Sequence, residues 1–116
     1  MKGITVSKHR AAVQKALNMI EAKVQHPPSL GELASLSRLG RTYFSFVFKE
    51  VTGMSLRDYL IQTRISKAKD LLNDADLRIK QIAYKVGFRS PDFCRLFKKK
   101  TGVSPTEWRK ACSQKS

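Results

Sequence analysis

Acidic side chains are scarce in this sequence of 116 residues. Nine Asp and Glu stand against 23 Lys and Arg, which gives a formal net charge of +14. No acidic block offsets that excess, so we expect a polyanion as the partner, and nucleic acid before a membrane surface. A merely solvated surface is the alternative explanation.

Long apolar runs are missing as well. No stretch of about 18 apolar residues occurs, and no amphipathic helix lies outside the repeat described below, so the sequence predicts no membrane insertion. The first ten residues, MKGITVSKHR, lack the hydrophobic segment of a signal peptide. We therefore expect a cytoplasmic protein.

Cysteine and histidine occur only twice each. Cys94 and Cys112 are too few for a disulfide framework and are expected to be free thiols. His9 and His26 have no partner ligands at metal spacing, so we expect neither a metal nor a cofactor. The sequence also lacks a paired nucleophile and base, a carboxylate pair and a phosphate-binding glycine loop, so an enzyme is not expected.

What the sequence does contain is an internal repeat with an offset of 49 positions, which aligns without a gap. The matched positions share residue type or character: Leu30, Leu33, Ala34, Phe44, Phe48, Lys49, Thr52, Gly53, Ser55 and Tyr59 align with Ile79, Ile82, Ala83, Phe93, Phe97, Lys98, Thr101, Gly102, Ser104 and Trp108. One supersecondary unit is therefore used twice.

Apolar residues at steps of three and four predict an all-α fold of about seven helices. A first helix is expected from Thr5 or Ser7, and a long helix from Leu56 to Asn73 is expected to join the two copies. That helix would be roughly 27 Å long, close to the turn of B-DNA at about 34 Å. The predicted division is an N-terminal helix-turn-helix lobe at 7–54, a linker helix at 55–74 and a C-terminal helix-turn-helix lobe at 75–111.

Each copy has the pattern of a helix, a tight turn and a second helix. In the second copy, Ile82-Ala83 is followed by Val86-Gly87-Phe88, where a small residue lets the helices cross closely and glycine accepts a turn with positive φ. The first copy has Ser37-Arg38 where the second has Val86-Gly87. The first turn is therefore predicted from the repeat and not from its own residues.

These motifs resemble the DNA-binding region of AraC/XylS-type transcription regulators, from about Leu30 to Arg109. The residues that carry the resemblance are Ile79, Ile82-Ala83, Val86-Gly87-Phe88, Phe93, Arg95, Phe97-Lys98-Lys99, Gly102, Pro105 and Arg109, with Tyr59-Leu60, Arg64, Ala68 and Leu71-Leu72 in the joining helix. The resemblance implies two helix-turn-helix lobes whose recognition helices enter successive major grooves of double-stranded DNA. It further implies promoter binding, activation through RNA polymerase, and an effector or dimerisation domain outside this chain.

Helical periodicity assigns an outward face to each recognition helix. The candidates for base contacts are Arg41, Thr42, Ser45 and Phe46 in the first helix, and Ser90, Pro91, Cys94 and Arg95 in the second. Arg41 suits guanine or a phosphate, and Arg95 suits guanine, unless it pairs with a phosphate or with Asp92. Cys94 is expected to fit close to the groove, with a redox sensor as the alternative.

Phe46 offers only apolar contact, for example to a thymine methyl group, or else is buried against a neighbouring helix. The related family often has arginine there, so this departure predicts a more apolar readout in the first lobe. Phosphate contacts are expected from basic residues near the helix ends: Lys49, Arg89, Lys98, Lys99, Lys100 and Arg109. The alternatives to sequence-specific DNA binding are a nonspecific or RNA-binding basic domain and a polymerase-interaction module.

Overall fold

The computed structural model describes the backbone of residues 2–113 and the side chains of residues 9–112. Over this part the chain forms seven α-helices and no strand: α1 Lys2–Ala22, α2 Leu30–Leu36, α3 Arg41–Thr52, α4 Leu56–Leu71, α5 Ile79–Lys85, α6 Ser90–Thr101 and α7 Pro105–Ser113. The all-α class and the number of helices are thereby confirmed.

The chain divides into two compact units, Met1–Ile61 and Gln62–Ser116, and α4 runs through the boundary. The first unit holds the α2–α3 pair and the second holds the α5–α6 pair. The three-part division with a separate linker at 55–74 remains a prediction.

Two predicted helix ends are wrong. The first helix begins at Lys2 and not at Thr5 or Ser7, because no proline or turn-forming pair interrupts the chain before them. The long helix ends at Leu71, where amide-to-carbonyl bonds of the tighter i to i−3 kind, such as that from Asp74 N to Leu71 O at 3.0 Å, close the last turn. Its 16 residues span about 24 Å.

The core of the first unit is made by one face of α1, by α2 and by the inner face of α3. Its buried members are Val13, Ala16, Ile20, Leu33, Ala34, Phe44, Val47 and Phe48. The α1 residues among them recur at three and four positions, so the helix covers the lobe with a single apolar stripe, as expected.

In the second unit the inner face of α6 lies in the core, as the inner face of α3 does in the first unit. Phe48 meets Tyr59 edge-on with ring centroids 5.7 Å apart, and Phe97 meets Trp108 edge-on at 5.9 Å. Both phenylalanines have no solvent exposure. The repeat seen in the sequence therefore extends to side-chain geometry inside each core.

The two helix-turn-helix turns have the same backbone although their residues differ. Gly87 has φ +90° and Arg38, at the matching position, has φ +58°, the sole non-glycine positive φ in the described chain. Leu39 N donates to Ala34 O and Phe88 N donates to Ala83 O, both at 2.9 Å. Arg38 therefore holds a left-handed conformation that glycine adopts at lower cost.

Candidate nucleic-acid interface

The helix α3 has a buried face and an outward face. Phe44, Val47 and Phe48 are fully buried on the inner side. On the outer side Arg41, Thr42, Phe46 and Lys49 are exposed, and Ser45 is half-buried. All four predicted base-contact candidates of the first lobe therefore lie on one surface of one helix.

Phe46 lies on this surface and outside the core. Its side chain remains 37% exposed and stacks on the ring of Tyr43, with centroids 6.2 Å apart and planes 26° from parallel. Tyr43 in turn meets the His9 ring edge-on at 5.6 Å. The sequence reasoning overlooked Tyr43, although its spacing of three from Phe46 places the two rings side by side on a helix.

Arg41, the first residue of α3, folds back over α2. A Cβ placed on Gly31 would lie 2.8 Å from Arg41 Nη2 and 3.1 Å from Nε, so the guanidinium rests directly on the glycine backbone. A side chain at position 31 would therefore require the Arg41 guanidinium to shift. Arg41 lines a shallow hollow with Ser29, Glu32, Ser35 and Leu36.

The outward face of α6 carries the candidates of the second lobe. Pro91 and Arg95 are exposed, while Ser90 and Cys94 are half-buried. Arg95 Nη2 lies 3.7 Å from Asp92 Oδ1, and the two side chains are 79% and 55% exposed. Such a solvated pair contributes little to stability, so Arg95 can leave Asp92 at small cost.

The basic residues cluster toward the two ends of α6. Arg89 is exposed immediately before the helix, and Lys98, Lys99 and Lys100 are exposed in its last turn. Cations in a last turn also favour the helix dipole, which gives these lysines a structural role in any case. Lys49 holds the corresponding position at the end of α3.

Arg109 donates hydrogen bonds to backbone carbonyls within the second unit. Its Nε donates to Leu72 O at 3.1 Å, and Nη2 donates to Asp74 O at 3.1 Å and to Leu77 O at 2.7 Å. These carbonyls belong to the end of α4 and the loop after it, where helical partners are lacking. The guanidinium therefore connects α7 to that loop, while the phosphate contact expected of Arg109 remains a prediction.

Arg64 on α4 lies within the second unit. Its guanidinium carbon is 4.9 Å from the centroid of the Phe88 ring, a cation–π arrangement. Burial lowers the pKa of the Arg64 guanidinium from its ordinary value. An arginine so placed remains charged at neutral pH. It packs on Phe88, the residue that follows the turn of the second helix-turn-helix.

The first unit also has a cavity of about 580 Å³ beside α3, lined by Ser45 and Lys49 of the outer face and by apolar side chains such as Ile20, Leu30 and Leu60. Cys94 and Cys112 are free thiols. Within the described residues, no three His, Cys, Asp or Glu side chains converge on a metal position. None of the described helices is long and apolar enough to cross a bilayer.

Residues 33–111 match a family model described as a helix-turn-helix domain. Among curated proteins, the HTH-type transcriptional regulator YijO of Escherichia coli K12 is 31% identical over 107 residues, which is 91% of this chain and 38% of that protein. The Msm operon regulatory protein of Streptococcus mutans is 30% identical over 105 residues, which is 90% of this chain and 38% of that protein. The chain thus spans less than two fifths of the length of these relatives.

Solved structures of other proteins have a similar fold. The C-terminal domain of AraT, a response regulator from Geobacillus stearothermophilus, has a TM-score of 0.78 and 31% identity, covering 86% of this chain and 84% of its own. The DNA-binding domain of AdpA, solved with a target DNA, has a TM-score of 0.79 over 85% of this chain and 90% of its own. At 23% identity, the AdpA comparison supports the fold.

Proposed function

The chain belongs to the AraC-type family, whose transcription regulators bind DNA through helix-turn-helix motifs, and we propose that α3 and α6 enter successive major grooves of one duplex. The observation that carries this proposal is the repeated division of each helix. Phenylalanines fill one face, and polar or basic side chains occupy the face turned away from the core. A major groove admits a helix with this arrangement.

Arg95 is the proposed base reader of the second lobe. Its side chain is 79% exposed, and its ion-pair partner Asp92 is itself 55% exposed. Arginine makes a bidentate contact with O6 and N7 of guanine, which neither Ser90 nor Cys94 can make. Pro91 and Cys94 then contribute close packing against the groove beside it.

The first lobe is proposed to read DNA through a smaller and more apolar surface. Thr42 and Ser45 offer hydroxyls to bases or backbone, and Phe46 offers its ring to a thymine methyl group. The stacking of Phe46 on Tyr43 holds that ring at a fixed angle, which favours contact over collapse into the core. Specificity in this half should therefore centre on A·T pairs.

Phosphate contacts supply affinity in this scheme. The five exposed cations assigned to them are Lys49, Arg89, Lys98, Lys99 and Lys100. Neutralising phosphates releases counterions, so the binding constant should fall steeply with salt. These contacts add the same free energy on every sequence.

The decisive experiment selects bound duplexes from a random pool near physiological salt. We expect a site of roughly 20 base pairs, two helical turns, with two unlike halves. On that site Arg95→Ala should cost about 1–3 kcal/mol and flatten preference at one base pair. Lys98→Ala is the matched control, since it should weaken all duplexes alike and reduce the salt slope by about one.

A site of a single half-turn would contradict the two-groove arrangement. Equal losses on every sequence for Arg95→Ala would instead make Arg95 a phosphate contact. No enrichment of any sequence, with binding retained, would favour the nonspecific basic module.

Three wider statements belong to the same proposal. The protein works in the cytoplasm, where bacterial promoters are; it contacts RNA polymerase as an activator; and an effector or dimerisation domain outside this chain controls it. The longer relatives support the last of these, since the matched segment is 38% of YijO. Transcription in vitro from a promoter carrying the selected site, with and without the protein, measures the sign of regulation.

A further inference from the structure

Two positions at the hollow beside Arg41 differ between the two copies of the repeat. Gly31 and Arg41 in the first copy align with Lys80 and Ser90 in the second. Each copy therefore has one cation in this pair of positions and one residue with a short side chain or none. The cation sits on the recognition helix in the first copy and on the preceding helix in the second.

The geometry explains why the two positions exchange as a pair. Arg41 begins α3, and its guanidinium reaches back to lie over Gly31, the second residue of α2, where a Cβ would be 2.8 Å from Nη2. In the second copy Lys80 is the second residue of α5 and is exposed. Its side chain therefore begins at the position that matches Gly31, over which the Arg41 guanidinium lies in the first copy. Ser90 at the start of α6 is too short to extend there.

An acidic neighbour does not account for these cations. Glu32 lines the hollow with Arg41, and its Oε1 accepts a hydrogen bond from the Ser29 hydroxyl at 3.3 Å. The residue at the matching position of the second copy is Gln81, which is neutral and accepts from Arg78 N at 2.8 Å. The positive charge is thus present in both copies, although the residue beside it at this matched position is a carboxylate in only one of them.

We propose that Arg41 and Lys80 perform the same task in their two lobes, each contacting a DNA phosphate from the outer face of the first helix of its helix-turn-helix. The proposal rests on the DNA-binding function above. Lysine replaces arginine well at a phosphate, which accepts a point charge, but poorly at guanine, which needs the planar fork. Arg41 is therefore a phosphate contact and not a base reader, Lys80 joins the phosphate set, and Gly31 is the residue that positions Arg41.

The test exchanges the pairs. Binding is measured by fluorescence anisotropy on the selected duplex and on a scrambled duplex at several salt concentrations. Arg41→Ser and Lys80→Ala should each weaken both duplexes by the same factor and lower the salt slope by about one. The double variant Gly31→Lys with Arg41→Ser, which carries the second lobe's pair in the first lobe, should recover the parent slope and affinity.

A matched control and a reciprocal exchange complete the design. Lys23→Ala removes one charge from an exposed position just after α1, outside the repeat, and should leave the slope nearly unaltered. Lys80→Gly with Ser90→Arg places the first lobe's pair in the second lobe and should also restore binding. Circular dichroism checks that each variant is folded. If one exchange variant does not fold, the other exchange alone tests the proposal.

Failure of both folded exchanges to restore the slope would overturn the inference. So would a change of preference at a single base pair caused by Arg41→Ser. Should the unaltered protein bind no duplex at low salt, the proposed function itself would be wrong. These outcomes separate the two proposals.

Discussion

Arg109 gives the sharpest distinction between a structural and a DNA-binding arginine. Its half-buried guanidinium donates three hydrogen bonds to backbone carbonyls, the shortest being 2.7 Å to Leu77 O. Removing it takes a side-chain donor from three carbonyls in the loop after α4, of which Asp74 O also accepts from Leu77 N at 3.1 Å. We therefore expect Arg109→Ala to act on the stability of the second unit.

The size of the effect follows from those bonds. Hydrogen bonds to a charged group contribute about 1.5–3 kcal/mol each, but three bonds that share one guanidinium are not additive. The carbonyl of Asp74 is also partly reached by water, because its bond to Arg109 is exposed. We expect Arg109→Ala to lower the free energy of unfolding by about 2–4 kcal/mol and Tm by roughly 10 °C.

The assay combines urea unfolding with DNA binding at a temperature where the variants remain folded. Arg109→Lys is the informative control, because it keeps the charge but cannot reach three carbonyls from one ammonium group. It should lose much of the same stability while its salt slope for DNA equals that of the parent. Full stability with a slope reduced by one in Arg109→Ala would refute this reasoning and support Arg109 as a phosphate contact.

Three further predictions concern the turn residues Arg38 and Gly87 and the exposed ring of Phe46. Arg38→Gly should raise the free energy of unfolding by about 0.5 kcal/mol, since relief of a left-handed non-glycine residue exceeds the entropy that glycine adds to the unfolded chain. Gly87→Ala, its counterpart, should lower it by about 1 kcal/mol, and urea midpoints measure both. Phe46→Ala should cost about 1 kcal/mol for the lost stacking on Tyr43, far below the roughly 3–5 kcal/mol of a buried phenylalanine, while base preference in the first half-site flattens. A loss as large as that of a buried phenylalanine, with unaltered base preference, would place Phe46 in the core.

The sequence predicts the fold well because the repeat supplies information that a single copy lacks. Arg38 is a poor residue for a turn with positive φ, and nothing local favours one there. Its alignment with Gly87 nevertheless predicts the turn, and the structure has φ +58° at Arg38 and +90° at Gly87. Two copies that must pack the same helix pair impose the same backbone even where one residue is unfavourable.

What the sequence does not predict are contacts between segments far apart in the chain. Arg109 lies 37 residues from Leu72, so no periodicity or spacing relates the two. The contact of Arg41 with Gly31 crosses from one helix to another, and the sequence shows only a glycine in a short helix. Helical periodicity assigns a side chain to a face, but its direction along that face depends on the neighbouring helix.

The comparison of the two copies also explains why the DNA site should be asymmetric. Residues that fill the cores are the same or similar in both copies, including Phe44 with Phe93 and Phe48 with Phe97. The outward positions differ throughout: Arg41, Thr42, Ser45 and Phe46 align with Ser90, Pro91, Cys94 and Arg95. Packing constrains the inner residues to one shape, whereas each outer face needs to suit only its own bases. A single chain with two unlike readers has no two-fold symmetry to match, so a palindromic operator is not required.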